Sequence, residues 1–178
     1  MKKDKKVMLL IGLCALFIAA AVLFMFKDKL FVRRETVTVS ENREMPEANA
    51  VTNEITNGLV VEEKFINHTD HIKELAIVFT KLYVLDDVEL SIELLDGNKT
   101  LLKKTVNVLQ IEDQHRLFIE ADTPIEGVLG KELTLRVYPE TASDTGVALM
   151  MQETDDSLIK FGRMKVRGTI CFSLTGEQ

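Results

Sequence analysis

The side chains equipped for chemistry gather in a few short stretches. His68, Asp70 and His71 lie together in NHTDH, and His115 lies in a second polar stretch. Two imidazoles and a carboxylate suit a transition metal if the loop curls enough to bring residues three apart onto one point. A solvated loop between strands accounts for the same residues. Asp86-Asp87 and Glu112-Asp113 are acidic pairs in turn-like surroundings. Oxygen-rich loops bind Ca²⁺, but neither pair has the spacing of a dedicated calcium loop. Structural Ca²⁺ therefore stands as an alternative to plain surface carboxylates. Glycoside hydrolysis needs two carboxyl groups facing each other across a cleft. Residues 35–178 hold 26 acids, so spacing alone singles out no pair. The chain has no Gly-x-Ser-x-Gly elbow, His-Glu-x-x-His motif or phosphate-binding glycine loop. The expectation is a non-catalytic protein without a cofactor, with a hydrolase as a distant alternative.

Sugar recognition asks for an aromatic face on which a pyranose can stack. The chain has no Trp and only two Tyr, and its Phe residues fall mostly on apolar stripes. Tyr138 alternates outward beside Arg136, which makes this pair the candidate ligand-binding residues. Asn67-His68-Thr69 and Asn98-Lys99-Thr100 match the glycosylation acceptor pattern, the second in a turn.

Position depends first on the stretch Val7 to Phe26, VMLLIGLCALFIAAAVLFMF, which has no charge and no Pro. As a helix it is ~30 Å long, the hydrocarbon thickness of a bilayer. It is expected to be an uncleaved membrane anchor. A cleaved signal peptide is the alternative, with Ala19 to Ala21 imitating the cleavage site. Cys14 is a poor lipidation site because the bulky Leu13 precedes it. Met1 to Arg34 carries eight Lys/Arg and two acids, net +6, while the rest of the chain has 14 and 26, net −12. Such a domain repels nucleic acid; the basic residues bracket the span, where lipid head groups lie. Lys/Arg counts on the two sides tie at four. The expected orientation, N-terminus inside and domain outside, rests on the usual behaviour of short basic N-tails. With Cys14 in the span and Cys171 in the domain, no disulfide framework is expected. Small residues at Gly12, Ala15, Ala19 and Ala20 would let membrane helices approach closely, though ordinary membrane-helix composition accounts for them as well.

The expected organisation is a tail at 1–6, the span at 7–26, a juxtamembrane collar and polar stalk at 27–53, and a β-domain at 54–176. Thr36 to Ser40 alternates Thr and Val and is a possible short strand. Leu75 to Phe79 is apolar at every position, as in a strand buried on both faces. Val88, Leu90, Ile92 and Leu94 alternate with Glu89, Ser91 and Glu93, as in a strand with one wet face. Asp96-Gly97-Asn98 supplies a hairpin turn, and Leu101 to Leu109 returns. Further strands are expected at Arg116 to Ala121, at Leu133 to Val137 ended by Pro139, at Gly146 to Gln152, around Gly162, and at Gly168 to Gly176. Eight or so short strands without an amphipathic helix imply an all-β fold, a two-sheet antiparallel sandwich of jelly-roll or immunoglobulin type.

The succession ITNGLVVEEKF, IKELAIVFTKLY, VELSIELLDGN, GKELTLRVYPE and the late run Gly162 through Leu174 resembles a jelly-roll module of the galactose-binding-like type. Such modules are appended to bacterial envelope membrane proteins and glycosyltransferases. In that pattern the opening strand ends in a polar residue, a spacer and Phe, here Glu63-Lys64-Phe65. The resemblance implies an extracytoplasmic accessory module of a cell-envelope assembly and carries over no functional residue. The expected partners are the membrane and an envelope protein. A membrane-held glycan-binding module is the alternative.

Overall fold

Period-two alternation makes strands, and nearly all regular structure here is strand. The computed structural model describes residues 36–39, 48–56, 58–83, 87–141 and 143–177. In chain order the strands are β1 (Thr36–Val39), β2 (Ala50–Val51), β3 (Val61–Ile66), β4 (Ile72–Lys81), β5 (Glu89–Asp96), β6 (Lys99–Asn107) and β7 (Arg116–Ile125). They continue with β8 (Glu132–Pro139), β9 (Val147–Gln152), β10 (Leu158–Phe161), β11 (Met164–Arg167), β12 (Thr169–Ile170) and β13 (Phe172–Glu177). The expected span, Val7 to Phe26, lies outside the described residues. Among those residues no helix is long and apolar enough to cross a membrane.

The strands form two antiparallel sheets packed as a sandwich. One has six strands in the order β11-β10-β3-β8-β5-β6. The other runs β1-β13-β4-β9-β12, with β2 on β9 and β7 on β4. Both sheets send side chains into one core, among them Phe65, Leu90, Ile92, Leu135 and Phe161 from the first and Leu75, Ile77, Phe79, Leu149 and Phe172 from the second. The rings of Phe65 and Phe172 meet edge to face across the core at 4.8 Å, worth about 1 kcal/mol beyond their burial. β1 and β2 fall inside the stretch expected as a stalk, so sheet pairing begins upstream of Glu54.

The two-sided burial expected of β4 is present: Leu75 through Thr80 are all buried. The hairpin from β5 to β6 turns at Gly97, whose φ of +59° suits a residue without Cβ. β5 departs from its pattern. Ser91 is fully buried and Glu93 is 7 % exposed, so the face expected to be wet is covered. The cover is a set of longer polar and charged side chains from β6, β8 and the residue after β8: Lys103, Arg136, Tyr138 and Glu140. The last strand is broken at Cys171. β12 pairs with β9, then the chain shifts and β13 pairs with β4.

Candidate functional site

β3, β8, β5 and β6 lie side by side, and outward side chains at matched register positions meet across them. Glu62 opposes Arg136, and Arg136 opposes Glu93. The Arg136 guanidinium donates through Nε to Glu62 Oε1 at 2.8 Å, and its Nη1 lies 3.6 Å from Glu93 Oε2. Lys160 from β10 reaches Glu62 Oε2 at 2.8 Å. Tyr138, two residues along β8, donates its hydroxyl to Glu93 Oε1 at 2.8 Å and accepts from Lys103 Nζ at 2.9 Å. Lys103 Nζ also lies 3.3 Å from Glu140 Oε1, and Glu140 accepts from the Ser91 hydroxyl. One connected row thus crosses the sheet: Lys160, Glu62, Arg136, Glu93, Tyr138, Lys103, Glu140, Ser91.

The row shifts the titration of Glu62, Glu140 and Lys103. Burial works against the Glu62 carboxylate, but the hydrogen bonds and charges of Lys160 and Arg136 outweigh it and hold its pKa below the usual range. The Ser91 hydroxyl, then Lys103, lower that of Glu140. Hydrogen bonds to Tyr138 and Glu140 raise that of Lys103.

Two open depressions flank the row and share Glu62, Arg136 and Lys160. The first, about 510 Å³, has Leu95 and Thr134 on its lining, with Leu158, Lys64 and Lys165 around them. The second, about 550 Å³, runs past Glu93, Thr100 and Tyr138 to Gly162. Both sequence candidates, Arg136 and Tyr138, therefore sit on one groove across the outer face of the six-stranded sheet. The Tyr138 ring is not a bare stacking platform, because Lys103 Nζ lies 5.5 Å from its centroid. Sequence reasoning missed Glu62, Lys160 and Lys165, which alternation alone marks only as solvent-facing.

The histidine stretch forms a different structure. Asn67 and Thr69 point inward and His68 outward. Asn67 Nδ2 donates to the Thr69 and Val128 carbonyls at 2.5 and 3.0 Å, so the first glycosylation triplet has a buried Asn while Asn98 is exposed. The His71 ring sits between two carboxylates, Nδ1 3.4 Å from Asp70 Oδ2 and Nε2 3.3 Å from Glu126 Oε1. Its two nitrogens face different acids and do not converge on one point. Among the described residues no group of three His, Cys, Asp or Glu is placed to hold a metal ion. His115 turns to the Asp113 carbonyl at 2.8 Å. Asp113 takes the Lys81 backbone N–H and the Thr80 hydroxyl, at 2.8 and 3.0 Å, which lower its pKa. Asp87 accepts from Asn107, and Asp86 lies outside the described residues. Cys171 is a buried free thiol, pushed up to about 11 by burial and then by the Glu63 charge.

No protein-family model and no curated protein matches this chain.

Proposed function

We propose that this chain is a non-catalytic adaptor, a membrane-anchored accessory subunit of a bacterial envelope assembly, with its sandwich outside the cytoplasm and docked on a protein partner. The observation that carries the reading is the groove over the Glu62–Arg136–Glu93–Tyr138 row. It is broad, open and of mixed charge, and its charges are already paired and held in place, as suits a surface that docks a partner of complementary charge with little reorganisation. The half-exposed Leu158 beside it adds an apolar anchor. The resemblance to galactose-binding-like jelly-roll modules favours the same kind of role.

Glycan binding is the second reading, favoured by Arg136 and Tyr138 lining one groove. Photo-cross-linking separates the two. A photoreactive residue at Leu158, placed in the full chain in its native cells, is expected to give a discrete protein adduct. The same residue at exposed Phe118, on the other sheet, is expected to give none. Adducts equal at both positions overturn the adaptor reading. Saturable binding on a glycan array, abolished by Tyr138→Ala, replaces it with the glycan reading.

A further inference from the structure

The six-stranded sheet ends at β11, whose outer edge carries no further strand among the described residues. All four of its residues are exposed. Its register with β10 shows which backbone groups face outward. Gly162 N–H donates to the Val60 carbonyl on the β3 side, so the even positions of β10 point to β3 and the odd ones, Ile159 and Phe161, point to β11. Their partners are Val166 and Met164. The N–H and C=O of Lys165 and Arg167 therefore point away from the sheet, and neither takes a backbone partner among the described residues.

The side chains of this edge are of two kinds. Met164 and Val166 lie on the core-side face, opposite the buried Phe161 and Ile159, yet they are 55 and 37 % exposed. Lys165 lies on the outer face, opposite Lys160, at the rim of the 510 Å³ depression. Residues 160–167 hold four basic residues and no acid, in a domain of net charge −12; Lys160 is paired with Glu62 and Arg167 with Asp155, which leaves Arg163 and Lys165 to meet a partner's charge. Lysine on an edge ordinarily deters pairing, but two uncovered apolar side chains on the other face do not serve that end. The opposite edge, β6, differs: its Lys103 is tied to Tyr138, Glu93 and Glu140, and its Leu102 is buried.

We infer that β11 accepts an extended acidic segment of a partner protein as an added strand, with acidic side chains over Lys165 and apolar ones on Met164 and Val166. Addition to an open edge draws affinity from main-chain hydrogen bonds and specificity from alternate side chains. Charge complementarity selects the occupant. A second copy pairing β11 to β11 sets Lys165 and Arg167 against their own kind, whereas alternating acid and apolar residues match both faces. This inference rests on the adaptor reading and names the chemistry of the partner.

The test uses the full-length chain and a fluorescein-labelled peptide of four Glu-Val repeats, read by anisotropy. Saturable binding is expected, with a Lys-Val repeat and a block Glu₄Val₄ peptide at least about tenfold weaker. Lys165→Ala removes the charge and keeps the N–H; Lys165→Pro removes both, without breaking a bond to β10. Lys165→Pro is expected to bind about tenfold more weakly than Lys165→Ala, with an unchanged melting temperature. If Lys165→Pro unfolds the chain, amide exchange on the wild type decides instead: the Lys165 and Arg167 amides slow on peptide addition if a strand is added. Equal affinity of the two variants, or unslowed amides, overturns strand addition. Alginate binding as tightly as the peptide and insensitive to Lys165→Pro overturns it in favour of an acidic glycan. Self-association abolished by Lys165→Pro overturns it in favour of a second copy. Absence of peptide binding with the Leu158 adduct retained removes this inference and leaves the adaptor reading standing.

Discussion

Glu63 reaches from one sheet to the other: its Oε2 accepts the backbone N–H of Ile170 at 2.6 Å. The carboxylate comes from β3, inward between Val61 and Phe65, and is fully buried. Its Oε1 accepts from the hydroxyls of Thr169 at 2.6 Å and Ser157 at 3.2 Å. A buried carboxylate is tolerated when donors surround it, and here they come from β12 and from Ser157, just before β10. Glu63, two residues before Phe65, is thus a clamp on the chain where β12 leaves β9 for β13.

Removing that clamp is costly. Glu63→Ala leaves the Ile170 N–H and the Thr169 hydroxyl without their acceptor. The expected loss is about 3 kcal/mol, read as a lower urea midpoint with unchanged slope. Glu63→Gln is expected to lie between, since an amide oxygen still accepts one of the donors. A loss under about 0.5 kcal/mol for Glu63→Ala would show that the clamp does not hold the sheets.

The outer row predicts acid sensitivity. The pKa of Glu62 and of Glu140 is lower in the folded chain than in the unfolded one. Such groups contribute stability that is present above the unfolded value and is lost as pH falls through the folded one. Stability measured by denaturation is therefore expected to decline below about pH 4.5, the ordinary glutamate range. Arg136→Ala removes one cause for Glu62 and is expected to shallow that decline. An identical slope in wild type and variant would contradict the assignment.

Cys171 titrates in the opposite sense. Its folded pKa of about 11 lies above the model-compound value of 9.0. Its contribution is full below pH 9 and is lost as pH rises towards 11. In a Cys14→Ser background the thiol is expected to resist iodoacetamide at pH 8 and to react fully in denaturant. Fast alkylation of the native chain would count against this burial.

Gly176 is held by close approach. A Cβ there would stand 2.1 Å from Thr69 Cγ2 and 2.5 Å from the Asp70 carbonyl oxygen. A backbone oxygen does not step aside easily. Gly176→Ala is expected to cost about 2 kcal/mol, read as a lower melting temperature. Gly127→Ala, with open space but φ of +70°, should cost about 1 kcal/mol from backbone strain alone. The reverse order would refute the contact.

Where the sequence was legible, the signal was local. The hairpin at Gly97, the strand ending in Pro139 and the hairpin around Gly162 stand where turn residues and period-two alternation put them. β4 is buried on both faces as its unbroken apolar run requires. Alternation failed at Ser91 and Glu93, because whether an outward face is wet depends on how far the neighbours' side chains reach. It was also silent on Glu63, which it offers only as a polar residue in a strand.

By itself, the sequence determined an all-β domain and the position of most strands, because those follow from residues two apart and from turn chemistry. Tertiary structure decided the rest. It brought Glu62, Arg136, Glu93 and Tyr138 into one row, placed Glu63 against Ile170 more than a hundred residues away, and left β11 with β10 as its one strand neighbour among the described residues. Strand order joins residues distant in the chain, and no local period encodes which strand lies beside which. The groove and the open edge are products of that order.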